Sequence, residues 1–285
     1  MKTIVNSGVI VQAYNNNIVS IRMDGKEKIL FSRGIGFGKK FGDKIKEGTE
    51  VEKIFVIEDQ DNLRNFKQVV EKVDEDFLTM CERIIILISE ELNEELDERI
   101  HIGLTDHLYY AIKRIKNNEI IDNPFLMEIK VLYQREYILA KKAAKILNNE
   151  MDIMIPDDEI GMIALHIHSA RNSGNLSNTI KNAYLINMII EYVEKKLKIK
   201  IDKNSLDYAR FATHVRFAIR RMLVDSPVKN DFIREIKCKY RLSYSISKDV
   251  SKILEKRLEK NVSEDEIAYL AMHIERFRVS TIKNN

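Results

Sequence analysis

The sequence predicts a multidomain protein in which a small antiparallel β-sheet domain is followed by two homologous all-α helical-bundle domains. Three observations carry this prediction. Seven of the ten glycines lie before residue 50, between short apolar runs of strand length. After about Asn62 the apolar residues recur at helical spacing, three and four residues apart. The helical part then repeats itself at one constant offset, the one that carries His107 onto His214.

Turn residues divide the N-terminal region into strands. Asn15-Asn16-Asn17 and Asp24-Gly25 tolerate the left-handed backbone angles that tight turns need. We expect a four-stranded antiparallel sheet in a domain spanning residues 1–60. So small a sheet would leave one face poorly covered, which dimerisation would remedy. The predicted strands are Gly8–Tyr14, Ile18–Met23, Lys28–Phe31 and Val51–Ile57.

The internal repeat defines the two helical domains. HLYYAIKR at residues 107–114 falls on HVRFAIRR at 214–221, and DDEIGMIALHI at 157–167 falls on EDEIAYLAMHI at 264–274, without a gap. The polar stretch Arg171–Asn178 is the best linker candidate between the copies, after one near Glu58–Asn62. The sequence therefore predicts helical domains at residues 61–172 and 173–285.

Composition limits the class of protein. The chain of 285 residues has a formal net charge of only +3, so a polyanionic partner must be met by a local basic patch. Two cysteines do not make a disulfide framework. No apolar run is long enough for a membrane span, and Met1–Ser7 lacks the apolar core of a signal peptide. We expect a soluble protein of the reducing cytoplasm.

Four of the six histidines form two matched sets under the repeat. His107 falls on His214 and His166 falls on His273, whereas His101 and His168 have no histidine counterpart. On a helical wheel, all four matched residues lie at the edge of an apolar stripe. We therefore expect them to be boundary residues, neither fully buried nor on the outer face.

Three chemistries suit such histidines, besides a purely structural role. A metal site is disfavoured because no HExxH or CxxC motif occurs, and His166 and His168 point to different helix faces. Acid–base catalysis would need a substrate pocket in each copy. Reversible phosphorylation fits better, since neutral imidazole is a nucleophile near pH 7. We interpret Asp158, Glu159 and Ser263–Glu266 as helix caps, and expect no catalytic residue, cofactor or metal, and no enzymatic activity.

The segment Lys26–Lys46 is basic, with seven Lys and Arg against two acidic residues. Phe31, Phe37 and Phe41 are interleaved with these charges. Basic residues attract phosphates, and aromatic rings can stack on unpaired bases. A core role for Phe31, a mere turn for the Asn run and a solvated lysine rim stay open. The GIGFG stretch at residues 34–38 is rejected as a nucleotide loop because no βαβ unit follows.

These motifs together resemble the BglG/SacY/LicT family of bacterial transcriptional antiterminators. The resemblance implies a co-antiterminator RNA-binding domain that acts as a homodimer and binds a hairpin in nascent mRNA, the ribonucleic antiterminator. Holding that hairpin prevents termination and so activates carbohydrate-utilisation genes. The motifs that carry the resemblance are NNNIVSI (Asn15–Ile21), FSRGIGFGKKFGD (Phe31–Asp43), LTDH (Leu104–His107), ALHI (Ala164–Ile167), ATHVRF (Ala212–Phe217) and AMHIER (Ala271–Arg276).

The resemblance also implies sites and partners. The helical repeats would be regulation domains of the sugar phosphotransferase system (PTS). In the first repeat, the sugar-specific PTS permease (EIIB) would drive phosphorylation of His107 and His166. In the second, the phosphocarrier protein HPr would drive that of His214 and His273. RNA contacts would come from the residues that match the family motif, namely Asn17, Arg33 and Phe37, with Asn15, Ser32 and Gly34 close by.

Some points depart from the family or leave alternatives. Ser32 stands where many members have glycine, and about seven residues precede the usual first strand. A PTS-regulated DNA-binding activator with the same repeats is one alternative, but the strand-like N-terminus offers no helix-turn-helix. A phosphocarrier or phosphotransferase enzyme is another.

Overall fold

The computed structural model of the chain describes residues 2–57, 59–172 and 175–283. Two compact units can be distinguished, one of Met1–Ile121 with Ile138–Leu176, the other of Asp122–Tyr137 with Ser177–Asn285. The strands are β1 Lys2–Thr3, β2 Gly8–Ala13, β3 Ile18–Met23, β4 Lys26–Phe31, β5 Lys44–Ile45, β6 Glu50–Val51 and β7 Lys53–Phe55. The helices are α1 Gln60–Lys72, α2 Glu75–Leu92, α3 Arg99–Lys116, α4 Leu126–Leu132, α5 Gln134–Met151, α6 Asp157–Arg171, α7 Leu176–Leu197, α8 Leu206–Leu223, α9 Ile233–Lys239, α10 Arg241–Leu258 and α11 Glu264–Lys283.

The N-terminal sheet is antiparallel, as predicted, but it has five strands in the order β5-β2-β3-β4-β7. The expected count of four was wrong because β5 is only two residues long and leaves no apolar alternation to detect. The predicted last strand is split into β6 and β7. Within the N-terminal extension, Lys2 and Thr3 pair with β6 in a separate two-stranded ribbon.

Side chains alternate across the sheet and fill two cores. One face carries Val19, Ile21 and Leu30, which pack with Ile4, Ile10, Met23, Ile45 and Val51. The other face carries Ile18, Ile29 and Phe31, which pack against Leu63 and Phe66 of α1 and Leu78 of α2. The expectation of a poorly covered face was therefore wrong, because the first two helices cover it.

Helix boundaries in the first unit follow local capping chemistry. Asp59 precedes α1, and its carboxylate accepts the backbone N–H groups of Asp61 and Asn62. Asp74 accepts the N–H of Phe77 at the start of α2. Helix α6 ends at Arg171 and α7 begins at Leu176, within the predicted linker. Ser173 and Gly174 of that linker, and Glu58 of the other candidate, lie outside the described residues.

In the second unit, α11 packs against α8, α9 and α10. Helix α4, which the repeat aligns with α9, also belongs to this unit and packs against α8. Its Glu128 is fully buried and accepts hydrogen bonds from Tyr208 Oη at 2.7 Å and Lys203 Nζ at 3.1 Å. The Arg216 guanidinium donates to the Leu132 carbonyl oxygen at 2.7 Å. Segment 122–137 is thus anchored by charged and backbone contacts as well as by packing.

Among the described helices, none has the length and apolar character needed to cross a membrane. The two cysteines, Cys81 and Cys238, are both free thiols. Cys81 is buried in α2, where burial raises its pKa well above the ordinary value, and Cys238 is exposed on α9.

Candidate functional site

All six residues predicted to contact RNA lie in two adjoining loops at one end of the sheet. We call residues 14–17 and 32–43 the paired loops. The Gly34 N–H donates to Asn17 Oδ1 at 2.9 Å, and the Ser32 N–H donates to the Asn17 carbonyl oxygen at 3.0 Å. A Cβ on Gly36 would lie 2.1 Å from the Asn15 carbonyl oxygen, so only glycine permits this close approach.

The longer of the paired loops presents charge and aromatic surface to solvent. Arg33, Lys39 and Lys40 are exposed, and the exposed fractions of Phe37 and Phe41 are 76% and 81%. These two rings are therefore not core residues. Phe31, by contrast, is buried, which agrees with the core role that the sequence left open for it. Exposed rings beside cations suit stacking on unpaired bases and contact with phosphates.

The asparagine amides of the shorter loop are already engaged. Asn15 is buried, with its amide nitrogen 3.3 Å from the Glu75 carbonyl oxygen and 3.5 Å from Thr79 Oγ1. The amide nitrogen of Asn17 lies 3.4 Å from the same Thr79 hydroxyl. Asn15 Oδ1 accepts the Asn17 N–H at 2.8 Å. Both asparagines are therefore held by the loop itself and by the start of α2.

The first histidine pair, His107 on α3 and His166 on α6, brings two tilted rings together with centroids 5.0 Å apart. A buried carboxylate, Glu159, lies 3.2 Å from His107 Nε2. The same carboxylate accepts a 2.8 Å hydrogen bond from Arg114. The pair thus lies beside a buried Glu–Arg ion pair, with the Glu159 carboxylate next to the His107 ring.

The second histidine pair, His214 on α8 and His273 on α11, repeats this arrangement with ring centroids 4.6 Å apart. The buried Glu266 lies 3.7 Å from His214 Nε2 and accepts a 2.8 Å hydrogen bond from Arg221 Nη2. Every member has its counterpart in the first repeat at the same constant offset. The sequence repeat therefore preserves a four-residue network rather than histidines alone.

Our interpretation of Glu159 and Glu266 as helix caps missed these roles. The Ser263 hydroxyl does accept the Glu266 N–H, so the serine cap at the start of α11 is confirmed. The Glu266 carboxylate, however, is turned inward to Arg221 and His214, and Glu159 to Arg114 and His107. The constant offset contained the missing signal, because it matches both glutamates and both arginines.

Burial keeps the imidazoles of His166, His214 and His273 neutral. Desolvation, followed by the nearby His107, lowers the pKa of His166 to about 3. Desolvation and the Arg221 charge lower the pKa of His214 to about 4. Desolvation, followed by the neighbouring His214 and Arg276, lowers the pKa of His273 to about 4. The predicted boundary position was wrong for His166, which is only 8% exposed because α3 covers it. The other three are partly exposed.

The remaining histidines stand outside the pairs. His101 is buried, its Nδ1 lies 2.8 Å from Glu82, and its ring stacks on Phe55 with centroids 3.8 Å apart. This contact ties α3 to the edge strand β7, which indicates a structural role. His168 is partly exposed beside Asn172. Within residues 2–57, 59–172 and 175–283, no group of three His, Cys, Asp or Glu side chains is placed to hold a metal ion.

Comparison with known proteins identifies two kinds of domain in the chain. Residues 9–64 match the family model described as CAT RNA binding domain, and residues 82–170 and 187–277 match the PRD domain. The chain belongs to the BglG/SacY/LicT family of transcriptional antiterminators. This antiterminator is an RNA-binding regulator of transcription that is itself controlled by the sugar phosphotransferase system.

Individual relatives of this antiterminator support the same assignment. The chain is 36% identical over 276 residues to Protein GlcT of Staphylococcus aureus strain bovine RF122 / ET3-1, covering 94% of this chain and 96% of the relative. The protein of the same name from strain JH9 gives the same values. A solved structure, titled "Crystal structure of GlcT CAT-PRDI", matches 59% of this chain and 99% of its own with 38% identity and a TM-score of 0.54.

Proposed function

We propose that the paired loops bind a hairpin in nascent mRNA and so prevent termination. Three modules would share the work: residues 1–60 as the RNA-binding domain, and residues 61–172 and 173–285 as the regulatory repeats. One observation carries this proposal: the loop with the exposed Arg33 and Phe37 is hydrogen-bonded to the asparagine turn. Arginine and phenylalanine offer stacking and phosphate contacts, while asparagine and backbone groups at Ser32 and Gly34 can pair with base edges.

Regulation would act through phosphorylation of His107, His166, His214 and His273. Each imidazole pair includes at least one ring that burial keeps neutral and therefore nucleophilic. A phosphoryl group brings nearly two negative charges to a site that already contains a buried glutamate. Repulsion from Glu159 or Glu266 would then rearrange the helices of that repeat.

The partners follow from the family pattern. The permease component EIIB would phosphorylate the first repeat and HPr the second. The active form would be a cytoplasmic homodimer with no enzymatic activity of its own. Dimerisation would bring two copies of the paired loops to one hairpin.

RNA binding is tested by fluorescence anisotropy with the full chain and a labelled antiterminator hairpin at fixed salt. Residues 1–60 alone are unsuitable, because α1 and α2 cover one face of the sheet. We expect Arg33→Ala and Phe37→Ala each to weaken binding at least tenfold, since stacking and charge are lost. Arg220→Ala, an exposed arginine on α8, is the matched control. Unchanged affinity in both loop variants would refute the proposed interface.

Phosphorylation is tested by mass mapping after incubation with phosphorylated HPr, with and without the EIIB component. We expect label on His214 or His273 with HPr alone, and label on His107 or His166 only when EIIB is present. Alanine variants at each histidine identify the acceptor. Label confined to His101 or His168 would contradict the assignment.

A further inference from the structure

His273 of the second pair borders a basic cavity of about 860 Å³. Two arginines from different helices reach this cavity, Arg210 of α8 and Arg276 of α11, with Lys239 at the end of α9 as a third cation. Asp207 and Glu275 supply the opposing charge. Glu275 is already engaged by Ser243 and Arg278, which leaves Asp207 as the carboxylate near the arginines.

Asp207 links the two arginines in the unmodified protein. Its Oδ1 lies 3.5 Å from Arg210 Nη1 and 3.6 Å from Arg276 Nη1. The side chains of Arg210 and Arg276 are about half exposed, at 55% and 53%, so these ion pairs are weak and open to exchange. A doubly charged group beside His273 would compete with the single charge of Asp207 for both arginines.

The equivalent positions of the first repeat carry other residues. The offset that aligns the repeats places Gly103, Ser169 and Leu132 where the second repeat has Arg210, Arg276 and Lys239. The cavity at His166 measures only about 250 Å³. A Cβ on Gly103 would lie 3.3 Å from His166 Nδ1, so a side chain as large as arginine does not fit there without movement. The basic pair is thus specific to the second repeat.

We propose that Arg210 and Arg276 form a phosphoryl-binding pair that makes His273 the preferred acceptor from a phosphorylated protein donor. The inference rests on the proposed function, in which the second repeat accepts phosphoryl groups, and adds the residues that receive them. The planar guanidinium groups bind phosphate oxygens through paired N–H donors. They would neutralise the group as it transfers and then hold it.

The transfer needs no further reactant. His273 Nδ1 is buried without a hydrogen-bond partner among the described residues, so Nε2 is the atom that can attack. Its lone pair forms the new P–N bond as the P–N bond of the donor breaks, and that electron pair returns to the donor nitrogen. No proton has to cross, because each imidazole keeps its proton on the other nitrogen. The arginines then exchange Asp207 for the phosphoryl oxygens.

The test measures the initial rate of His273 labelling by phosphorylated HPr in the full chain. We expect Arg210→Gln/Arg276→Gln to slow labelling at least tenfold, and Arg210→Lys/Arg276→Lys to restore part of the rate. Arg220→Gln/Arg234→Gln removes two exposed charges from the same unit outside the cavity and should stay within about twofold of wild type. Asp207→Asn, which frees both arginines, should raise the rate about threefold, a gain that misfolding cannot produce.

The outcomes distinguish the phosphoryl-binding pair from the proposed function. A wild-type chain that takes no label on His273 refutes the proposed function for this residue. Normal labelling of wild type with an equal rate in the Arg210→Gln/Arg276→Gln variant overturns the phosphoryl-binding pair alone. A slower or unchanged rate in Asp207→Asn also counts against it, because competition by Asp207 is part of the inference.

A different observation carries a second inference. The amides of Asn15 and Asn17 are both directed to the Thr79 hydroxyl of α2, and the Oδ1 atoms of both accept backbone N–H groups within the paired loops. We infer that α2 competes with RNA for these amides, so base contacts by Asn17 require release from Thr79. This inference also rests on the proposed RNA interface.

The Thr79 hydroxyl can be removed without loss of helix propensity. Thr79→Ala should raise affinity for the antiterminator hairpin about fivefold, the value of one hydrogen bond, while Thr79→Ser keeps the hydroxyl and wild-type affinity. Asn17→Ala reports on the interface itself. If Asn17→Ala leaves binding unchanged, the RNA role of Asn17 fails. If Asn17→Ala weakens binding but Thr79→Ala gains nothing, only the competition is refuted.

Discussion

The two histidine pairs share their chemistry but differ in access. Both join adjacent imidazoles to a buried glutamate and an arginine, at centroid separations of 5.0 and 4.6 Å. His166 is buried beside a cavity of about 250 Å³, whereas His273 is partly exposed beside one of about 860 Å³. The two repeats have therefore kept the same four-residue network but differ in the size of the cavity beside it.

The repeats also differ in which helices their equivalent short helices, α4 and α9, pack against. Helix α9 packs on α10 and α11, whereas its counterpart α4 packs on α8. The equivalent glutamates show the contrast most clearly, because Glu128 is fully buried and Glu235 is exposed. Burial beside Glu128 raises the pKa of Tyr208, whose hydroxyl stays protonated and donates to the carboxylate.

The largest expected effect comes from making the same substitution at these two equivalent glutamates and comparing the loss of stability. Glu128→Gln removes the charge that Lys203 and Tyr208 satisfy, and should lower the free energy of unfolding by about 2 kcal/mol. Glu235→Gln should change it by less than about 0.5 kcal/mol, as at most exposed sites. Urea unfolding followed by circular dichroism measures both. Equal losses would show that the repeats do not differ at this position.

The next prediction concerns the buried ring of the first pair. A folded-state pKa of about 3 for His166 means that the unfolded chain binds a proton below about pH 6.5 and the native chain does not. Stability is then complete above that pH and falls on acidification. When the pH falls from about 7 to about 5, this one group should lower the free energy of unfolding by about 2 kcal/mol.

His166→Gln should reduce the acid-induced loss in the free energy of unfolding by that amount. His168→Gln, which removes a partly exposed ring from the same helix, is the matched control and should keep the wild-type difference. Urea titrations at the two pH values give the comparison. An unaltered difference in His166→Gln would mean that this ring is not held neutral by burial.

The smallest expected effect sharpens the difference in access. A small donor such as phosphoramidate should label His273 about tenfold faster than His166, because the larger cavity admits it. With a pKa of about 4, His273 stays neutral at about pH 5, so its labelling should persist there. Time-resolved peptide mass mapping gives both rates. Equal labelling of the two rings would remove access as the distinction between the repeats.

Regular features of the fold were predictable because they leave a period in the sequence. The apolar run Ile18–Met23 and the helical stripes indicated β3 and the bundles, and the constant offset indicated the repeat. Two-residue strands such as Lys44–Ile45 leave no period to find. Nor does spacing tell that α4 and α9 pack on different helices, since their apolar positions match.

The candidate sites were predictable in membership but not in environment. The offset and the motifs singled out the four histidines and the six loop residues. The structure brings the histidines together as two separate pairs and places the six loop residues in the paired loops. Glu159 and Glu266 look like ordinary helix-start acids in the sequence, because capping and inward pairing use the same residue type at the same turn. The contact of Asn17 with Thr79 is long-range and leaves no local pattern.

Phe66 of α1 sits fully buried under the sheet, edge-on to Tyr14 and Phe55 at centroid distances of 5.6 and 6.2 Å. A chimera that joins this RNA-binding domain to an unrelated regulatory domain must therefore include α1 and the first half of α2. A junction placed directly after the last strand would expose the apolar face of the sheet that α1 and α2 normally cover, and we expect such chimeras to be insoluble.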